Sequence, residues 1–126
     1  MRPFLAVLLL FGFPAFAQPL DDCSRYTPTV LDDWMRSADQ RVAAYGHTCR
    51  AMNVDALLTR QVREGIIATD SSRWIEACRG QLATIDAAVA VNRRWGGPDS
   101  ARNLDRLNRL YLKYRRFIAS AEPGGG

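Results

Sequence analysis

Histidine and lysine are nearly absent from this chain of 126 residues, and cysteine is scarce: there is one histidine, one lysine and three cysteines. A single histidine is too few for a blue-copper site, which takes two. The sequence has no C-x-x-C-H haem attachment motif, no cysteine pair at zinc spacing and no G-x-S-x-G elbow of the serine hydrolases. The commonest haem, zinc and serine-nucleophile centres are therefore excluded.

No hydrophobic run is long enough to cross a membrane as a helix. The longest, from Phe4 to Phe13, has ten residues, whereas a bilayer core of roughly 30 Å needs about 20. Arg2 precedes this run and Pro14-Ala15-Phe16-Ala17 follows it, which is the arrangement of a cleavable signal peptide. We therefore predict a signal peptide over residues 1–17 and a periplasmic or secreted mature chain without a transmembrane segment.

Export would limit both the partners and the chemistry of the mature chain. Removal of residues 1–17 leaves 109 residues, and the formal net charge falls from +4 to +3 because Arg2 is lost. This length corresponds to one domain. Nucleic acid is not expected as a partner, since the chain leaves the cytoplasm, and cysteines are expected to oxidise outside it.

Apolar residues recur at spacings of three and four, and no stretch alternates with a period of two. This pattern predicts an all-α fold, a small antiparallel bundle of about four helices over residues 29–121. An extended lead-in is expected over residues 18–28, and a disordered tail over residues 122–126.

Glycine, proline and cap-forming residues divide the predicted helices. Thr27 and Pro28 start the first helix, Gly46 stops it, and Gly96-Gly97-Pro98 ends the third. The second is the least sharply bounded, because it can begin near His47 or near Asn53. The first two predicted helices cover residues 28–46 and 47 or 53 to 68. The third runs from a cluster of cap-forming residues at 69–72 to about residue 95, and the last runs from a cap at Asp99 or Ser100 to residue 121.

The predicted topology indicates which cysteines pair. If the chain turns near Gly46 and Asp70, Cys78 lies level with about residue 30, beside the lead-in that carries Cys23. Cys49 would then lie roughly 18 Å from Cys78, too far for a disulfide. We predict a Cys23–Cys78 disulfide, with Cys49–Cys78 as the alternative if the second helix is broken. The remaining cysteine could join two chains in a dimer.

His47, Cys49 and Met52 form an H-x-C-x-x-M cluster whose imidazole, thiol and thioether suit cuprous ion. A copper binder is therefore the alternative function, and it requires a reduced Cys49. An enzyme would need a general acid such as Glu76, provided that Trp74 places it in an apolar pocket. We favour a structural role for these residues, and expect neither a cofactor nor catalysis.

The last helix carries a basic stripe almost opposite its apolar face. Its members step by four, three, four and three residues, and two arginines at the preceding turn add to the charge. Such a face suits anionic lipid headgroups, lipopolysaccharide or an acidic protein, although every bundle also needs a solvated face. The predicted binding residues are Arg93, Arg94, Arg102, Arg106, Arg109, Lys113 and Arg116.

Within the same helix, Leu107-Asn108-Arg109-Leu110-Tyr111 is similar to the L-N-x-x-Y element of small periplasmic lysozyme-inhibitor domains of the LprI type. The similarity covers five residues and does not extend to the cysteine spacing of those domains. The function expected from the residues is that of a non-enzymatic binding or accessory protein, which engages an envelope protein or an anionic envelope component through the basic face.

Overall fold

The computed structural model describes residues 20–121, which form helices and connecting turns without any strand. The predicted all-α fold is confirmed. The signal peptide predicted for residues 1–17 and the tail predicted for residues 122–126 lie outside the described residues. A 3-10 helix, Leu20–Arg25, occupies part of the expected extended lead-in and is followed by four α-helices: α1 (Pro28–Met35), α2 (Gln40–Arg63), α3 (Ser72–Trp95) and α4 (Ser100–Ala121).

Three long helices form the bundle, with α3 in the middle. Helix α3 packs extensively against both α2 and α4, whereas α2 and α4 meet only locally. The 3-10 helix and α1 lie against α2. Each predicted apolar face contributes at least one buried side chain, and these are Leu31, Tyr45, Leu58, Cys78, Ile85, Leu107 and Tyr114.

The first helix is shorter than predicted, because the chain turns between Met35 and Gln40. Asp39 caps the next helix: its carboxylate accepts hydrogen bonds from the backbone N–H groups of Arg41 and Val42. Helix α1 therefore folds back along α2, and the prediction of one helix over residues 28–46 was wrong. The apolar spacing of three and four residues continues across this turn. It therefore does not reveal that one helix ends near Arg36 and that Asp39 starts the next.

Gly46 lies inside α2 and does not stop a helix. A glycine is needed at this position because α1 lies very close to α2. A Cβ atom here would lie 2.7 Å from the Trp34 Cβ and 2.8 Å from the Met35 backbone nitrogen. Glycine is normally unfavourable within a helix by about 1 kcal/mol. Here it allows the two backbones to touch.

Gly46→Ala is expected to lower the free energy of unfolding by about 1–3 kcal/mol, the usual cost of overpacking, because backbone must shift to admit the methyl group. Gly80→Ala is the matched control: Gly80 is exposed in α3, and its added Cβ would meet nothing within 4 Å. That variant should gain about 0.5–1 kcal/mol. Urea denaturation measures both, and a stabilised Gly46→Ala protein would contradict the close packing.

The other helix ends follow local backbone chemistry. Gly65 adopts a φ of 76° and ends α2: the Ile66 N–H bonds to the Gln61 carbonyl, and the Gly65 N–H to the Val62 carbonyl. The second helix therefore stops before the predicted Ala68. The ends predicted for α3 are confirmed, with Ser71 as its N-cap and Gly96 in the left-handed conformation after Trp95.

The disulfide joins Cys23 to Cys49, with a Cα–Cα distance of 5.1 Å. Both sequence-based pairings, Cys23–Cys78 and Cys49–Cys78, were wrong. Because α1 folds back on α2, the segment before it lies level with the middle of α2, where the Asn53 amide donates to the Cys23 carbonyl at 3.1 Å. The pairing thus depends on the turn at residues 36–39, which the predicted topology lacked.

Cys78 is the free cysteine, and its side chain is 0% exposed. Burial raises the pKa of its thiol to about 11, so it stays protonated and unreactive near neutral pH. A dimer through the unpaired cysteine, which the sequence left open, would therefore require the core to open.

Candidate functional site

Arginine side chains line the outward side of α4. Arg102, Arg109 and Arg116 are exposed, and their spacing of seven residues, close to two helical turns, puts them in line on one side of the helix. We call these three residues the arginine row. At 1.5 Å per residue the row is about 21 Å long. Arg106, which the predicted stripe also includes, is only partly exposed.

An apolar side chain interrupts the arginine row. Leu112 is 49% exposed and lies between Arg109 and Arg116 along α4. Arg115, which the predicted stripe omitted, is also exposed, and its guanidinium carbon lies 6.0 Å from the ring centroid of Tyr111. The spacing of four residues could have identified this cation–π pair. This side of α4 therefore combines positive charge with exposed apolar surface.

Lys113 departs from the predicted stripe, because it turns towards α2. Its Nζ donates to Asp55 Oδ1 at 2.7 Å, and the Tyr114 hydroxyl donates to the same oxygen at 2.7 Å. Burial, the hydrogen bond to Asp55 and the nearby Cys78 thiol raise the pKa of Tyr114 well above its usual value. Lys113 thus holds α4 to α2 and is not available to the basic surface.

The two arginines at the end of α3 belong to different surroundings. Arg93 lines a groove between α3 and α4, whereas Arg94 lies close enough to His47 of α2 to affect its ionisation. Burial, with Arg94 adding to it, lowers the pKa of His47, against a hydrogen bond to the Met35 backbone. The seven predicted residues therefore lie in four surroundings: the α4 surface, the Asp55 contact, the α3–α4 groove and the neighbourhood of His47.

The groove between α3 and α4 has a volume of about 510 Å³. Val89, Leu104 and Ala101 supply its apolar surface, and polar side chains stand around them. Arg93, Asp86, Asn108 and Tyr111 form no ion pair or hydrogen bond with the described part of the chain, whereas Asp105 pairs with Arg109 at 2.7 Å. The lining residues are Asp86, Val89, Arg93, Ala101, Leu104, Asp105, Asn108 and Tyr111.

Sequence reasoning identified only Arg93 of this groove. Its other members come from two helices, and their meeting depends on how α3 and α4 are rotated about their axes. The repeat of Asp86, Val89 and Arg93 at spacings of three and four residues was a usable signal, because such positions share one side of a helix. This repeat borders the apolar face of α3, so from the sequence that side of the helix is attributed to the core and no groove is predicted there.

The H-x-C-x-x-M cluster of His47, Cys49 and Met52 lacks the free thiol that the copper-binding alternative requires. Cys49 is bonded to Cys23 and offers no thiolate, which the copper-binding alternative requires. Between residues 20 and 121 no three His, Cys, Asp or Glu side chains are grouped to hold a metal ion. The condition for an acid at Glu76 is also unmet, because Glu76 is exposed while Trp74 is buried.

A buried polar cluster fixes the three long helices where they meet near Asn92. The Asn92 amide donates to the Thr48 hydroxyl at 2.9 Å and to the Ala88 carbonyl at 2.8 Å, while its oxygen accepts from the Asn103 amide at 2.9 Å. All three polar side chains are 0% exposed. The cluster therefore connects α2, α3 and α4.

A second polar contact lies at the same end of the bundle. The Tyr45 hydroxyl donates to the Asp99 carboxylate, and the Tyr45 ring packs against Trp95 at 6.1 Å between centroids. Burial and this hydrogen bond raise the pKa of Tyr45 to about 12. The turn between α3 and α4 is thereby tied to α2, which positions the start of α4 and its arginine row.

Within residues 20–121 no helix has the length and apolar character needed to span a bilayer. Comparison with protein-family models, curated proteins and solved structures finds no match to this chain.

Proposed function

We propose that the protein is a non-enzymatic accessory protein of the bacterial envelope that binds an anionic lipid surface through the arginine row. The observation that carries the proposal is the exposed Leu112 within that row. Peripheral membrane contacts combine basic side chains that meet lipid phosphates with apolar side chains that enter the headgroup boundary.

The expected strength follows from the number of charges. A basic residue close to an anionic membrane contributes about 1 kcal/mol, which sets an upper bound of about 3 kcal/mol for the three arginines of the row, because Arg109 is also paired with Asp105 at 2.7 Å. Leu112 adds a smaller apolar term. Binding is therefore reversible and sensitive to salt, because charge interactions at a surface are screened within about 8–10 Å at physiological ionic strength.

The location is part of the proposal. The Cys23–Cys49 disulfide is compatible with an oxidising compartment, where such bonds persist. The signal-peptide pattern in residues 1–17 supports delivery to the same place. An exported protein meets anionic lipid headgroups at the envelope, where the arginine row would make its contact.

Replacing Arg102, Arg109 and Arg116 together by glutamine should weaken binding to anionic vesicles by up to about 100-fold, the factor that corresponds to the upper bound of about 3 kcal/mol. The measurement is co-sedimentation with vesicles of phosphatidylglycerol and phosphatidylcholine in equal parts, at low and high salt. Vesicles of phosphatidylcholine alone should bind neither the unaltered protein nor the triple variant.

The matched control replaces three exposed arginines on the other two long helices, Arg60 and Arg63 of α2 and Arg73 of α3, by glutamine. It removes the same charge and should keep most of the binding. Equal losses in the two triple variants would show that net charge alone attracts the protein. No binding of the unaltered protein to anionic vesicles would refute the lipid proposal and leave an acidic protein as the partner to seek.

A further inference from the structure

We infer that the groove between α3 and α4 binds a short peptide of about three residues with free amino and carboxyl ends. The groove adjoins the arginine row through the Asp105–Arg109 ion pair, but the inference does not depend on the lipid proposal. In the groove, Arg93 and Asp86 form no ion pair with any described residue, although they share one apolar recess.

The separation of these two charges sets the length of the ligand. Asp86 and Arg93 lie seven residues apart on one side of α3, which corresponds to about 10.5 Å along the helix. An extended peptide spans about 3.3–3.6 Å per residue, so three residues place opposite charges at this separation. The amino end would lie at Asp86, and the carboxylate at Arg93, whose guanidinium can donate two parallel hydrogen bonds to it.

The groove between the two charges indicates the character of the middle residue. Val89 and Leu104 are half-buried there and form an apolar floor, so an apolar side chain fits best. The Asn108 amide can both donate and accept, and the Tyr111 hydroxyl can do the same. These two groups can form hydrogen bonds with the peptide units of the ligand, each of which has an N–H donor and a carbonyl acceptor.

The balance of charge favours a zwitterion over an anion. Two carboxylates, Asp86 and Asp105, line the recess beside one guanidinium. Asp105 is already paired with Arg109 at 2.7 Å, which leaves one negative and one positive group to be matched. A volume of about 510 Å³ falls within the usual range of ligand sites, about 300–1,000 Å³.

The test uses alanyl-leucyl-alanine with both ends free, with the amino end acetylated, and with the carboxyl end amidated. Isothermal titration calorimetry on the oxidised protein should show one saturable site for the free peptide. Each blocked end should weaken binding about fivefold, as expected for an ion pair at a solvent-open site.

Two variants assign the ends of the peptide. Arg93→Gln should weaken binding of the free peptide about fivefold but leave the affinity of the amidated peptide unchanged. Asp86→Asn should also weaken binding of the free peptide about fivefold but leave the affinity of the acetylated peptide unchanged. Arg94→Gln is the control, because Arg94 is the adjacent exposed arginine and does not line the groove.

Three results would overturn the inference. They are the absence of saturable binding at millimolar peptide, equal affinity for free and blocked peptides, and a loss in Arg94→Gln as large as that in Arg93→Gln. Circular dichroism of each variant checks that the helices remain. Since the substituted groups are exposed and unpaired, the fold should be unaffected.

Discussion

Replacing Cys23 and Cys49 together by alanine should lower the free energy of unfolding by about 3–4 kcal/mol. The disulfide closes a loop with a sequence separation of 26, and the chain-entropy relation gives about 3.5 kcal/mol for a loop of that size. The loss is large for a domain whose total stability is on the order of 5–15 kcal/mol. Chemical denaturation under non-reducing conditions measures it.

Single-cysteine variants test which cysteines are paired. Cys78→Ala should keep the intramolecular disulfide and lose only the packing of one buried side chain, whereas Cys23→Ala or Cys49→Ala should each release a reactive thiol. Alkylation and mass spectrometry of the unfolded, unreduced protein count the free thiols. If Cys78→Ala abolished the disulfide, the Cys23–Cys49 assignment would be wrong.

Asp55→Ala should be the second strongly destabilising change, with an expected loss of about 3 kcal/mol. The Asp55 carboxylate accepts from both Lys113 and Tyr114, and the Tyr114 side chain is only 1% exposed. A hydrogen bond to a charged group contributes about 1.5–3 kcal/mol, and a buried donor left without a partner costs about 1–3 kcal/mol. The contact also provides the main polar link between α2 and α4.

Asp32→Ala is the matched control. Asp32 pairs with Arg50 at 2.8 Å, almost the same distance as Asp55 and Lys113, but its side chain is 46% exposed against 22% for Asp55. An exposed pair should contribute about 1 kcal/mol or less. Equal losses in the two variants would contradict the proposed importance of burial.

A double-mutant cycle locates the cause. Tyr114→Phe removes the hydroxyl that Asp55→Ala leaves unpaired, so the double variant should be less destabilised than the sum of the single variants. Strict additivity would mean that the phenol finds water or another acceptor when Asp55 is absent.

Periodicity predicted the helical class and the two later helices well, because each buries a regular apolar face and ends in strong local signals. A cluster of cap-forming residues at 69–72, of which Ser71 is the N-cap, starts α3, and Gly96 ends it. The first half of the fold was predicted poorly for a related reason. Residues 31–45 keep helical spacing across a turn, so spacing alone could not reveal that Asp39 starts a new helix.

The errors in the disulfide and in the basic stripe have a common origin. Both depend on which elements lie side by side, and that information is not local. Cys23 meets Cys49 only because α1 reverses direction, and Lys113 meets Asp55 only because α4 is rotated towards α2. Exposed arginines such as Arg102 and Arg109 were identified correctly as exposed, since opposite faces of one helix can be separated by sequence alone.

The order of the cysteines along the chain has a consequence for how the protein is made. The bond joins the first two cysteines, and no residue after Cys49 takes part in it. A polypeptide that emerges from its N-terminus can therefore oxidise this pair before Cys78 has appeared. Once α3 docks, the late thiol is enclosed and protonated, and thiol–disulfide exchange needs an accessible thiolate. We therefore expect the timing of emergence, followed by the enclosure of Cys78, to favour the Cys23–Cys49 pairing over the two alternatives.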